Sequence, residues 1–167
     1  MTPIHYVFLL SAFFLCSCGA TVDHTSEISQ LEASLQKEPN QETLEQLVKL
    51  YLEMSAAKEG EEKLEYTWKA GEAARSARNF TVAETSFKML YEQYPDSPEA
   101  SKALFLHAFM SDEDLKAYDK ARSLYQTFIE KYPNSDFNDD ARFLLENLGK
   151  SDAEMLEMLS KKNPQPE

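Results

Sequence analysis

Glycine is scarce in this chain, four in 167 residues. Gly60 and Gly71 stand alone, so no glycine-rich loop is available to cradle a phosphate. Histidine is scarcer still: His5 lies in an apolar leader, His24 shortly after it, and His107 inside a helical pattern. One helical histidine cannot supply a His-Glu-x-x-His metal site or the base of a triad. Positive charge is short as well, 17 Lys and Arg against 29 Asp and Glu, for a formal net charge of −12. A chain so acidic, with no basic stripe, repels phosphate backbones, which argues against nucleic acid as a partner. Adhesion to an anionic membrane through surface charge is disfavoured on the same ground. No long β-branched alternation occurs. What fills the space between the prolines is Ala, Leu, Glu and Lys, the good helix formers. An all-α fold is expected, without catalytic residues, cofactor or metal.

Residues 1–17 carry no Asp, Glu, Lys or Arg. The apolar run from Ile4 to Cys18 is about 15 residues long, short of the roughly 20 a spanning helix needs and suited to a secretory signal. It closes on Leu15-Cys16-Ser17-Cys18, followed by Gly19 and Ala20. This resembles the bacterial lipobox: an aliphatic residue three before an obligatory cysteine, small residues around it. The resemblance implies a diacylglycerol on the Cys18 thiol and cleavage just before it, leaving 1–17 as the signal peptide. Cys16 would leave with the signal, so no disulfide and no Cys–His metal spacing would survive. The two other readings are an uncleaved anchor and conventional cleavage after Ala20. Two or three acyl chains, at about 0.8 kcal/mol per buried methylene, would anchor the protein permanently.

Beyond a tether over 18–25, apolar periodicity and proline punctuation predict helices near 26–37, 41–57, 61–78, 81–94, 98–110, 117–132, 136–148 and 151–161. Residues 162–167 have nothing apolar to bury and are expected to be disordered. Thr81 with Glu84, and Ser151 with Glu154, read as capping boxes. Ser97 before Pro98 reads as an N-cap with proline at the first helical position, and Gly149 as a left-handed helix stop. Ser111-Asp112-Glu113-Asp114 lacks the glycine and distal glutamate of a calcium loop and reads as a solvated, helix-starting loop. Asp136, Asp139 and Asp140 read as acids of a helix's first turn.

The chain repeats itself. Ala83, Phe87, Leu90, Tyr94 and Pro95 recur as Ala121, Tyr125, Phe128, Tyr132 and Pro133, 38 positions later with identical spacing. Such self-similarity marks stacked helical units. The set resembles the tetratricopeptide repeat: counted from Leu64, Gly71, Ala83, Phe87 and Pro95 fall on its small, aromatic and proline positions. A second unit starts at Pro98 and needs about four residues more than the family's 34 before Ala121. Leu44, Leu47, Val48 and Tyr51 read as the first helix of a degenerate unit, and 136–161 as a capping hairpin. The resemblance implies stacked antiparallel helical hairpins, about eight helices, over 26–161. The Tyr-Pro-Asp/Asn-Ser joint and long second repeat are similar to small repeat lipoproteins of bacterial envelopes. That group includes relatives of the BamD-type outer-membrane assembly lipoprotein and of the periplasmic coordinator of the Tol–Pal system.

In this family one face of each unit's first helix lines a groove for a peptide or a partner's helix. The resemblance places Glu65, Trp68, Glu72 and Arg75 on it, followed by Glu99, Lys102, Leu106 and Phe109, with Trp68 equally readable as core. The expected function is a non-catalytic, lipid-anchored scaffold that binds envelope proteins from the periplasmic face of the outer membrane. The alternative is a structural accessory subunit of an outer-membrane assembly or a cell-wall-associated complex.

Overall fold

The computed structural model describes residues 23–151, 153, 154 and 157. Among the described residues, seven α-helices and one π-helical turn follow one another: α1 (Thr25–Lys37), α2 (Gln41–Ala57), α3 (Gly60–Ser76), α4 (Phe80–Gln93), α5 (Pro98–Phe109), the π-turn (Met110–Asp114), α6 (Tyr118–Lys131) and α7 (Asn138–Glu146). Among the described residues there is no strand. Each helix packs on its successor through short connections, giving a stack of antiparallel hairpins. α1 starts at Thr25, inside the expected tether, and most of the expected helix over 151–161 lies outside the described residues. The leader and lipobox, including Cys18, also lie outside them.

The repeated stripe is the core. Ala83, Phe87 and Leu90 of α4 and Ala121, Tyr125 and Phe128 of α6 are fully buried, while Tyr94 and Tyr132 close each stripe half-buried. Burying each large side chain contributes about 1.5–3 kcal/mol, so the stripes alone fix which helices pair. Gly71 lets α3 approach α4: a Cβ there would lie 2.7 Å from the Phe87 ring. The second unit is built differently. At the corresponding place in α5 stands Phe105, which fills the space between Phe128, Tyr125 and Phe137 at ring distances of 5.6, 6.3 and 4.9 Å.

The four extra residues of that unit are absorbed within Ser111–Asp119, where the spacing puts them, but in a conformation the sequence does not announce. α5 widens at Met110 into the π-turn, where Leu115 N–H donates to Met110 O and Ala117 N–H to Ser111 O. Lys116 then adopts a left-handed φ of 52° to release the chain into α6. Ser111 and Asp112 are buried here, so this stretch is the end of α5 rather than a solvated loop that starts a helix. Three smaller corrections follow from backbone geometry. The α4 cap is Asn79, whose side chain accepts from Val82 N–H at 3.3 Å, because Arg78 at φ 59° turns the chain early and leaves Thr81 inside the first turn. Ser97 does sit at the N-cap with Pro98 after it, but its hydroxyl makes no capping bond and is buried without a partner. α2 directly precedes α3, the first helix of the Gly71 unit, so it holds a second-helix slot and α1 the first. Elsewhere the readings match: Ser151 and Glu154 bond reciprocally, Gly149 has φ 77°, and Asp139 and Asp140, though not Asp136, lie in α7's first turn.

Candidate functional site

Helices α1, α3, α5 and α7 alternate with α2, α4 and α6, and α3 touches α5 directly. The stripe Trp68, Glu72 and Arg75 on α3 repeats at helical spacing and faces α5. Arg75 reaches furthest: its guanidinium lies 5.1 Å from the centre of the Phe109 ring and its Nε is 2.6 Å from Asp114 Oδ2 in the π-turn. Phe109 in turn stacks on Phe105 at 6.4 Å. Lys102 is exposed and its charge acts on Glu72, which also accepts from the Trp68 indole. Glu72 is open to solvent yet ringed by protein, as a side chain in a hollow is. That partial desolvation pushes its carboxyl above the usual glutamate range, against the Trp68 hydrogen bond and the Lys102 charge.

Trp68 is neither simply core nor simply groove. It is half-buried, with its ring 5.9 Å from Phe87 beneath and its N–H turned to Glu72. The structure therefore brings Trp68, Glu72, Arg75, Lys102 and Phe109 together. Leu106 is half-buried against the core, and Glu99 is half-buried on the first turn of α5. Glu65 points the other way, to Lys69 at 3.2 Å.

Lys69, absent from the expected set, is the most heavily contacted charge beside these residues. Its ammonium is shared by Glu65 and by Glu32 of α1 at 3.4 Å, and lies 5.8 and 5.9 Å from the ring centres of Tyr51 and Tyr66. Partial burial works against the charge, but the two carboxylates overcome it and hold the ammonium above the ordinary lysine range. Tyr51 donates to Glu32 at 2.6 Å; burial, with that bond, pushes its phenol far up. Beside this cluster opens a cleft of about 590 Å³ between α1, α2 and α3, with Leu35, Leu47 and Tyr51 on its walls and Glu32, Lys69 and Glu72 at its polar side. The Glu65–Lys69 spacing was a readable i,i+4 pair. Glu32 and Asp114 were not readable, since only the stacking carries them to α3.

The remaining titratable group of note is His107. It is buried, its Nδ1 3.0 Å from the Tyr91 hydroxyl, and its Nε2 faces Glu84 at 3.8 Å. With the tyrosine donating, the ring proton sits on Nε2. Burial is the main force that lowers its pKa to about 4. Among the described residues no cluster of three His, Cys, Asp or Glu could hold a metal, and no helix is long and apolar enough to cross a membrane.

Residues 67–97 and 102–135, the α3–α4 and α5–α6 units, match the tetratricopeptide repeat family, whose repeats generally serve protein–protein interaction. Neither curated proteins nor solved structures give a match to the chain.

Proposed function

From the premise that this chain carries two tetratricopeptide repeats, we propose that it is a non-catalytic scaffold whose α3–α5 face holds a partner protein. The observation that carries the reading is the surface built by Trp68, Glu72, Arg75, Lys102 and Phe109. Half-exposed aromatic rings stand next to a guanidinium and carboxylates that are already positioned by their neighbours. Aromatic and arginine side chains of this kind are the usual anchors of an interface. The ordered contacts beneath them mean that little side-chain freedom remains to be lost on binding.

The second part of the proposal is address. Leu15-Cys16-Ser17-Cys18 supports lipidation of Cys18 and attachment to the bacterial outer membrane, periplasmic face, with envelope proteins as partners. The Tyr-Pro-Asp/Asn-Ser joints and the long second repeat support a place near the BamD-type and Tol–Pal coordinator lipoproteins. Confinement to a membrane surface raises the effective concentration of a partner held there, so weak groove contacts would suffice.

Two measurements test the parts separately. Intact-mass analysis of the native protein should find a fragment beginning at Cys18 that carries lipid mass; an unmodified Cys18 rejects the anchor. A photo-crosslinker placed at Leu106 in living cells should yield a discrete adduct that Trp68→Ala removes, while the same crosslinker at Glu130 on α6 should not. Equal adducts at both positions would reject the face.

A further inference from the structure

The α1–α3 cleft sits beside the proposed binding face, and its chemistry is one-sided. Two carboxylates, Glu32 and Glu72, line it with one ammonium, that of Lys69, which is itself shared between Glu32 and Glu65 at the cleft's edge. Glu32 and Glu65 are both committed to that ammonium, and among the described residues no ion pair of Glu72 exists within 4 Å. The wall opposite is apolar: Leu35 and Leu47 with the ring of Tyr51. Lys69 displays what such a place accepts, because its ammonium is held by carboxylates at one side and lies near two tyrosine rings at the other.

Building on the scaffold reading above, we infer that the α1–α3 cleft is the anchoring subsite for a partner segment that presents a Lys or Arg beside an apolar side chain. The cation sits between Glu32 and Glu72, and its aliphatic stem and apolar neighbour lie along Leu35, Leu47 and Tyr51. Three observations select this occupant over an acidic or neutral one. The lining of the cleft carries one more carboxylate than ammonium, Glu32 and Glu72 against Lys69. Its carboxylate at Glu72 makes no ion pair within 4 Å among the described residues, only the longer-range charge of Lys102 reaching it, and partial desolvation raises its pKa. The whole chain, at −12, attracts cationic segments and repels acidic ones at distances up to about a Debye length. At about 590 Å³ and open to solvent, the cleft has room for a few side chains of an extended or helical segment rather than for an enclosed small molecule.

The test is a selection of phage-displayed random 12-residue peptides on the full-length chain, followed by anisotropy titration of the enriched peptides. Enriched sequences should carry Lys or Arg next to an apolar residue. Affinity should fall about threefold in Glu72→Gln or Glu32→Gln and about tenfold in the double variant, and should weaken with added salt. Glu130→Gln is the charge-matched control. Enriched peptides that are acidic or uncharged, or that ignore both substitutions, overturn the inference. If those peptides are nevertheless lost on Trp68→Ala, the scaffold reading stands without this subsite. If no peptide is enriched, both fall.

Discussion

Replacing Gly71 by alanine should destabilise the first repeat although it improves helix propensity. The new Cβ would sit 2.7 and 2.9 Å from two carbons of the Phe87 ring, closer than real Cβ contacts come. Phe87 is fully buried, with Trp68 packed 5.9 Å away, so the ring cannot swing without moving the tryptophan. Overpacking of this kind costs about 1–3 kcal/mol, and alanine returns up to about 1 kcal/mol of propensity. With the full propensity gain the balance is a loss of up to about 2 kcal/mol, or up to roughly 6 °C in Tm for a chain of this size. Urea unfolding followed by far-ultraviolet circular dichroism gives the free energy, and the emission of the single tryptophan reports whether Trp68 shifts. A Gly71→Ala, Phe87→Leu double variant should be more stable than the sum of the single losses, because the smaller side chain removes the clash. If Gly71→Ala instead stabilises the protein by its propensity gain, the α3–α4 approach is not what keeps glycine there.

The buried histidine makes stability depend on pH. The unfolded chain takes up its proton below about 6.5 while the folded one resists to about 4. The stability of the neutral ring is therefore complete above pH 6.5 and is lost as pH falls to 4, by roughly 3 kcal/mol. His107→Asn, which keeps an acceptor for Tyr91, should flatten that part of the profile relative to the parent; parallel profiles would refute the assignment. Asn79→Ala should cost about 1 kcal/mol as a lost cap and Thr81→Ala within about 0.5 kcal/mol, measured by chemical denaturation. The reverse order would restore Thr81 as the cap. Ser97→Ala should be neutral or slightly stabilising in the same assay, since its hydroxyl is buried without a partner.

What could be read in the sequence was whatever a helix's own period encodes. The stripe from Ala83 to Tyr94, its copy from Ala121 to Tyr132, and the left-handed stop at Gly149 are local patterns, and each stands where the spacing put it. That Trp68, Glu72 and Arg75 share one side of α3 was legible for the same reason, once Gly71 and Ala83 set the register, whereas Glu65 turns to Lys69 instead. The failures lie where the backbone departs from a regular helix. Ser111 to Asp114 look like a polar loop by composition, and nothing local announces that i→i+5 bonds carry them inward. Asn79 outranked Thr81 because the turn at Arg78 moved the helix start by one residue. Glu32 meets Lys69, and Asp114 meets Arg75, across separations of 37 and 39 positions, which only the stacking can bridge.

The π-turn has a bearing on how the molecule comes apart. In repeat proteins each unit is held mainly by its neighbours, so ends can melt while the middle persists, as in a one-dimensional Ising chain. Here the widened end of α5 hands Asp114 back to Arg75 on the preceding unit's first helix. This is a coupling between units that the interlocking aromatic stripes do not provide. The extra residues of the long repeat thus tie the two central units into one melting block. Loss of the Arg75–Asp114 contact would loosen that block without splitting it, since Tyr91–His107 and Glu84–Lys120 still join the two units.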